Sequence, residues 1–163
     1  MIRTEYYVSQ TFLTKITNII EYFLLVVFFF LNIIIFIPSL THNDLIRESI
    51  YNLFSFVCHQ DKSLSFVINS HKLAVCSRCT GIYQGFLIGG IMFFTLFKKN
   101  INKNTLKHFL IITVLIIMFS KVYQYYIINI FTNLIRWLSG IFIGIIFSYS
   151  IYYKGEKYGT KQH

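Results

Sequence analysis

Apolar positions run unbroken through four stretches of this chain and hardly ever alternate with polar ones. Ile19–Ile37, Cys79–Phe97, Leu106–Tyr126 and Leu134–Tyr153 each approach the ~20 residues that cross a bilayer core. The abundant Phe, Ile and Tyr residues favour strands in isolation, but continuous runs of this length without a two-residue period point to helices. Between the first and second runs the pattern changes. Leu45, Ile46, Ile50, Leu53, Phe54 and Val57 recur at helical spacing while Arg47, Glu48 and Asn52 fall elsewhere, which predicts a short amphipathic helix over 44–57, lying on the membrane surface or capping the bundle. Pro38 is expected to end the first run. Thr41, three residues before Asp44, reads as the start of the next helix in the manner of a capping box. Residues 58–78 form a polar loop, with a turn at Asp61-Lys62-Ser63, a short extended piece over Leu64–Ile68 and a second turn at Asn69-Ser70. Two such arms make a hairpin that folds Cys76 and Cys79 back toward Cys58.

Composition sharpens the class. With 163 residues, 55% apolar, 13% charged and one proline, the chain is too apolar for an ordinary soluble domain. It reads as all-α: a polytopic membrane protein, a single membrane domain over 1–163 with about four transmembrane helices and one amphipathic surface helix. The first run is longer than a signal-peptide core, and Ile37-Pro38-Ser39-Leu40-Thr41 lacks a small-x-small cleavage pattern, so it is expected to be retained.

A net charge of +9 would suit a nucleic-acid partner, but the cations sit in loops and tails beside the apolar runs, so none is expected. If four helices cross, the tails and the Lys98–Lys107 loop share one side and carry Arg3, Lys15, Lys98, Lys99, Lys103, Lys107, Lys154, Lys157 and Lys161. The opposite side carries Arg47, Lys62, Lys72, Arg78 and Lys121, partly offset by Asp44, Glu48 and Asp61. The positive-inside bias then puts both termini in the cytoplasm of a cell (inner) membrane and the cysteine loop outside. The expected partners are the lipid bilayer and a second copy or another subunit of a membrane complex.

All three cysteines lie in one region. Cys76-x-x-Cys79 either chelates a tetrahedral metal or cycles between dithiol and disulfide. Adding Cys58 and His59 makes three thiolates and one imidazole, a complete structural zinc set, with His71 the other histidine able to close it. The same atoms admit a redox reading, because thiols at a helix N-terminus beside Arg78 sit in a positive environment and an outer face tolerates disulfides. Three cysteines, however, leave one thiol over from any disulfide, whereas a metal uses all three. A third reading has no chemistry: a helix-packing subunit. It rests on Gly81, Gly85 and Gly89 in the second run and Gly140 and Gly144 in the fourth, small residues four apart that let helices approach closely. Arg78 and Arg136 fall near the outer boundary. They are either interfacial anchors or a pair of cations that binds an anion or lowers thiol pKa values. Asn32, deep in the first run, reads as a helix–helix hydrogen bond.

The stretch Cys58-His59-Gln60, then Ser65-Phe66, then Val75-Cys76-Ser77-Arg78-Cys79-Thr80-Gly81-Ile82-Tyr83-Gln84-Gly85 resembles the signature of the predicted prokaryotic membrane proteins known as domain of unknown function 2085. Asn133-Leu134-Ile135-Arg136 with Ser139-Gly140 and Gly144 is similar to that family's second motif. The resemblance covers roughly Asn52 to Ile146 and implies membrane residence and the location of the site. It implies no reaction.

Overall fold

A computed structural model describes residues 2–96, 103–126 and 131–152. In chain order the elements are α1 (Ile2–Leu40), α2 (Asp44–Ser55), a single 3-10 turn (Lys62–Leu64), β1 (Val67–Ile68), β2 (His71–Lys72), α3 (Ser77–Leu96), α4 (Lys103–Tyr126) and α5 (Phe131–Tyr152). Phe97, Tyr153, Lys98 and Lys99 lie outside the described residues.

The first helix departs from its expected limits at both ends. It starts at Ile2, because the polar and aromatic lead-in carries no breaker, and it runs two residues past Pro38. Proline in the last turn is compatible with this because Thr41 N–H still donates to Ile37 O at 2.9 Å. Arg47 on α2 then reaches back, donating to Pro38 O at 3.2 Å and Thr41 O at 2.8 Å. A cation at these carbonyls satisfies groups that the helix end leaves without partners. The cap of α2 is Asn43 rather than Thr41: its Oδ1 accepts from Leu45 N and Ile46 N. Thr41 Oγ1 instead accepts from Asn43 N.

Among the described residues, two helical segments are long and apolar enough to cross a membrane, Lys15–Leu40 and Thr132–Tyr152, while Ile111–Val122 is a shorter apolar stretch within α4. Phe23, Val26, Phe30 and Ile33 on α1 and Leu115 and Met118 on α4 are exposed, an apolar surface of the kind that lipid covers. Leu45, Leu53, Phe56 and Val57 are exposed as well, so α2 and its end also present an apolar face.

The helices meet through named contacts. A Cβ added to Gly85 would lie 2.2 Å from Ile141 O, and one on Gly144 would lie 2.2 Å from Ile82 O. Only hydrogen on the α-carbon permits this backbone-to-backbone approach of α3 and α5. Gly81 and Gly140 do the same one turn nearer the site, against Trp137 O and Arg78 O, and Gly89 faces the Ile145 Cα. Asn32 on α1 donates to Tyr83 O on α3 at 3.1 Å, and Phe28 stacks on Phe86 with ring centroids 3.8 Å apart. Trp137 Nε1 donates to Gln84 Oε1 at 2.6 Å, a further tie between α3 and α5. At the other end of the bundle, the fully buried Tyr152 donates to Glu21 O at 3.3 Å.

Candidate metal centre

The end of α2 delivers the first thiol. Cys58 N–H donates to Phe54 O at 3.0 Å, after which the chain reverses at Gln60, a buried residue held at φ 52°. That left-handed backbone is unusual for a non-glycine residue, and three hydrogen bonds hold it. Gln60 Nε2 donates to Tyr51 O at 2.6 Å, Lys72 Nζ donates to Gln60 O at 2.5 Å, and Gln60 N–H donates to Cys58 Sγ at 3.4 Å.

The chain returns through the hairpin. Val67 pairs with Lys72 and Ile68 with His71, and Asn69 and Ser70 turn the corner at φ 51° and 65°. Two consecutive positive φ values match the two-residue loop that suits a right-twisted hairpin. Leu73, Ala74 and Val75 then form a buried strip with Ile35, Phe54 and Cys58, and Ala74 N–H donates to Ile35 O at 3.1 Å. This strip seats Cys76 at the start of α3. Cys76 N–H donates to Cys58 Sγ at 3.1 Å.

The result is a cluster of three sulfurs from two separate segments. The Sγ atoms of Cys58, Cys76 and Cys79 all lie within 4.8 Å of one another. Cys58 is buried, and Cys76 and Cys79 are half-buried. Two backbone N–H groups aim at Cys58 Sγ, the outer hydrogen bonding that offsets charge on a ligating thiolate. Hydrogen bonding with the Cys58 and Cys79 thiols holds the Cys76 thiol well below its ordinary pKa, against the opposing effect of burial, and the Arg136 charge acts in the same lowering direction. His59 is exposed and His71 half-buried on β2; the imidazole of neither belongs to the three-sulfur cluster.

The first turns of α5 close the site from the other side. Asn133 Nδ2 donates to Ser63 O and Ser65 O, each at 3.4 Å, so the second motif touches the loop that follows Cys58. Arg136, 7% exposed, sits one turn before Gly140, whose α-carbon abuts Arg78 O. Burial, and next the charge of Arg136, lower the Arg78 pKa. Gln60 and Asn133 are the site residues that sequence reasoning did not single out. Gln60 carries no turn signal of its own, whereas Asn133, at the head of the second motif, was within reach.

Residues 58–150 match the family model described as "Predicted membrane protein (DUF2085)". An uncharacterized protein of Methanocaldococcus jannaschii is 35% identical over 95 residues, covering 58% of this chain and 61% of that protein. An uncharacterized protein of Methanothermobacter thermautotrophicus is 47% identical over 32 residues, covering 20% of this chain and 29% of that protein. The chain therefore spans about three-fifths of the length of the first relative and under a third of the second. No solved structure matches the chain.

Proposed function

Because the chain belongs to this family of predicted membrane proteins, we propose that it is a four-span protein of the cell (inner) membrane whose Cys58, Cys76 and Cys79 thiolates bind one zinc ion at the outer boundary. The observation that carries the reading is the convergence of three sulfurs within 4.8 Å. Zinc–sulfur bonds of ~2.3 Å in a tetrahedron bring sulfurs to about 3.8 Å, so the cluster closes on an ion by shifts of about 1 Å. Thiolate donors of this number select a soft or borderline metal. The fourth position falls to His59, exposed beside Cys58, or to water. With His59 bound the site is structural, pinning the loop to α3; with water it keeps an open position.

The way the helices are joined supports four crossings. Both α1 and α5 are long and apolar enough alone, α3 is bound to α5 through glycine contacts and to α1 through Asn32, and α4 packs on α5. The lysine-rich tails and the α3–α4 loop then share the cytoplasmic side, and α2 lies on the outer surface with its apolar face toward lipid.

Cobalt loading of detergent-purified protein tests this. An intense sulfur-to-cobalt charge-transfer band that Cys58→Ser and Cys76→Ser abolish is expected, and no such band in the folded wild type refutes the site. His59→Ala separates the two coordination sets: a change in the visible ligand-field bands assigns the imidazole, and unchanged bands assign water.

One observation favours a second reading, thiol–disulfide exchange on the outer face. The hydrogen bonds that lower the Cys76 pKa also favour an attacking thiolate. Acid trapping of cells with a thiol-alkylating mass tag decides it: a Cys76–Cys79 disulfide in part of the population supports exchange, and permanently reduced thiols exclude it.

A further inference from the structure

Beside the thiol cluster two guanidinium groups enter the protein without the carboxylate partners that buried cations need. Arg136 is 93% buried by the complement of its 7% exposure, and its Nε has no hydrogen-bond partner. Arg78 leaves one terminal nitrogen buried and unpartnered. The exposed Asp44 carboxylate pairs with Arg47. Asp61 lies in the field of Arg136, but it is exposed and its Oδ1 is taken by the Ser63 N–H and hydroxyl.

Ser77, one turn before Gly81, and Arg136, one turn before Gly140, stand on the seam between α3 and α5. Gly140 packs on Arg78 O at the head of α3. Arg136 stands one turn earlier on the same face of α5, and its charge acts on both Arg78 and Cys76. Two further groups around this place also lack partners: the fully buried Ser77 Oγ in the first turn of α3, and Asn133 Oδ1, three residues before Arg136.

From this arrangement we infer an oxyanion site of the phosphate class between the N-terminus of α3 and the first turns of α5, held by Arg78, Arg136 and Ser77. Guanidinium forks match phosphate oxygens, and a helix N-terminus adds donors and a favourable dipole. Asn133 Oδ1 can only accept, so it suits a hydroxyl carried by the same ligand. The donors belong to Arg78, Arg136 and Ser77 rather than to the thiols, so the inference does not require the metal. The ligand is either free hydrogen phosphate or a phospholipid headgroup bearing a hydroxyl, such as phosphatidylglycerol.

The chain has one tryptophan, Trp137, next to Arg136, and its emission is the readout. Full-length protein in detergent is titrated with inorganic phosphate, and in parallel placed in nanodiscs of neutral lipid with rising phosphatidylglycerol. A saturable response in the first arm identifies the free anion, and a response in the second alone identifies the headgroup. Arg136→Gln is expected to weaken whichever response appears by about tenfold or more. Arg136→Lys, which keeps the charge but not the fork, guards against a variant that fails to fold and is expected to weaken it by a smaller factor. No saturable response in either arm overturns the inference, as does an equal midpoint in wild type and Arg136→Lys. Metal content measured on the same samples separates the two claims: a phosphate response in metal-free protein leaves the oxyanion site standing without the zinc reading, and a loaded protein that ignores both phosphate sources does the reverse.

Discussion

The backbone N–H of Cys76 donates to the Sγ of Cys58 at 3.1 Å, across eighteen residues of chain. This bond follows from the hairpin that turns at Asn69-Ser70 and from the buried strip Leu73–Val75, which presses on Ile35 and Phe54. Packing and this hydrogen bond hold the thiols of the two segments together, the kind of preorganisation a binding site needs.

The α3–α5 seam predicts a large effect from a small change. A Cβ at Gly85 would fall 2.2 Å from Ile141 O, and a backbone oxygen cannot swing aside as a side chain can. Gly85→Ala is expected to cost about 1–3 kcal/mol of stability, and Gly85→Leu more, read as a drop in the thermal unfolding midpoint in detergent. An unchanged midpoint for Gly85→Leu would mean the two backbones do not touch.

Asn32 predicts a moderate loss. Its Nδ2 donates to Phe28 O in its own helix and to Tyr83 O in α3. Interhelical hydrogen bonds between apolar helices contribute about 0.6–2 kcal/mol, so Asn32→Leu should lower the midpoint modestly while leaving metal content unchanged. A gain in stability would show that the bond to Tyr83 contributes nothing.

Ser70 predicts a gain. It holds φ 65° in the hairpin turn, a conformation that costs an ordinary residue energy and glycine none. Ser70→Gly, giving the Asn-Gly pair favoured in such turns, is expected to raise stability by about 0.5–1 kcal/mol, measured by thermal or denaturant unfolding. Destabilisation would contradict the left-handed turn.

Much of this was legible in the sequence, for reasons that differ by element. The apolar runs announce α1, α3, α4 and α5 because helices are the economical way to bury backbone polar groups along an apolar stretch. The Asn69-Ser70 turn was readable from residue chemistry, and with it the return of Cys76 toward Cys58. The upstream extension of α1 was not readable, since Met1–Asn18 lacks a continuous apolar run to announce it. The cap at Asn43 in place of Thr41 was not readable either, because two cap-forming side chains stand two residues apart. The placement of His59 depends on how α2 unwinds after Ser55 and on the left-handed Gln60, which no pattern in Cys58-His59-Gln60 encodes. Asn133 reaches Ser63 and Ser65 across about 70 residues, and a contact of that range is invisible to local periodicity.

The most direct test of the central claim is elemental analysis of detergent-purified wild-type protein prepared without added metal or chelator, with thiols counted on the same sample before and after metal removal. About one zinc per chain, three thiols that react freely only after the metal is stripped, and loss of most of the metal in Cys58→Ser are the predicted result. Wild-type protein with no bound metal, and with all three thiols freely reactive from the start, would contradict it.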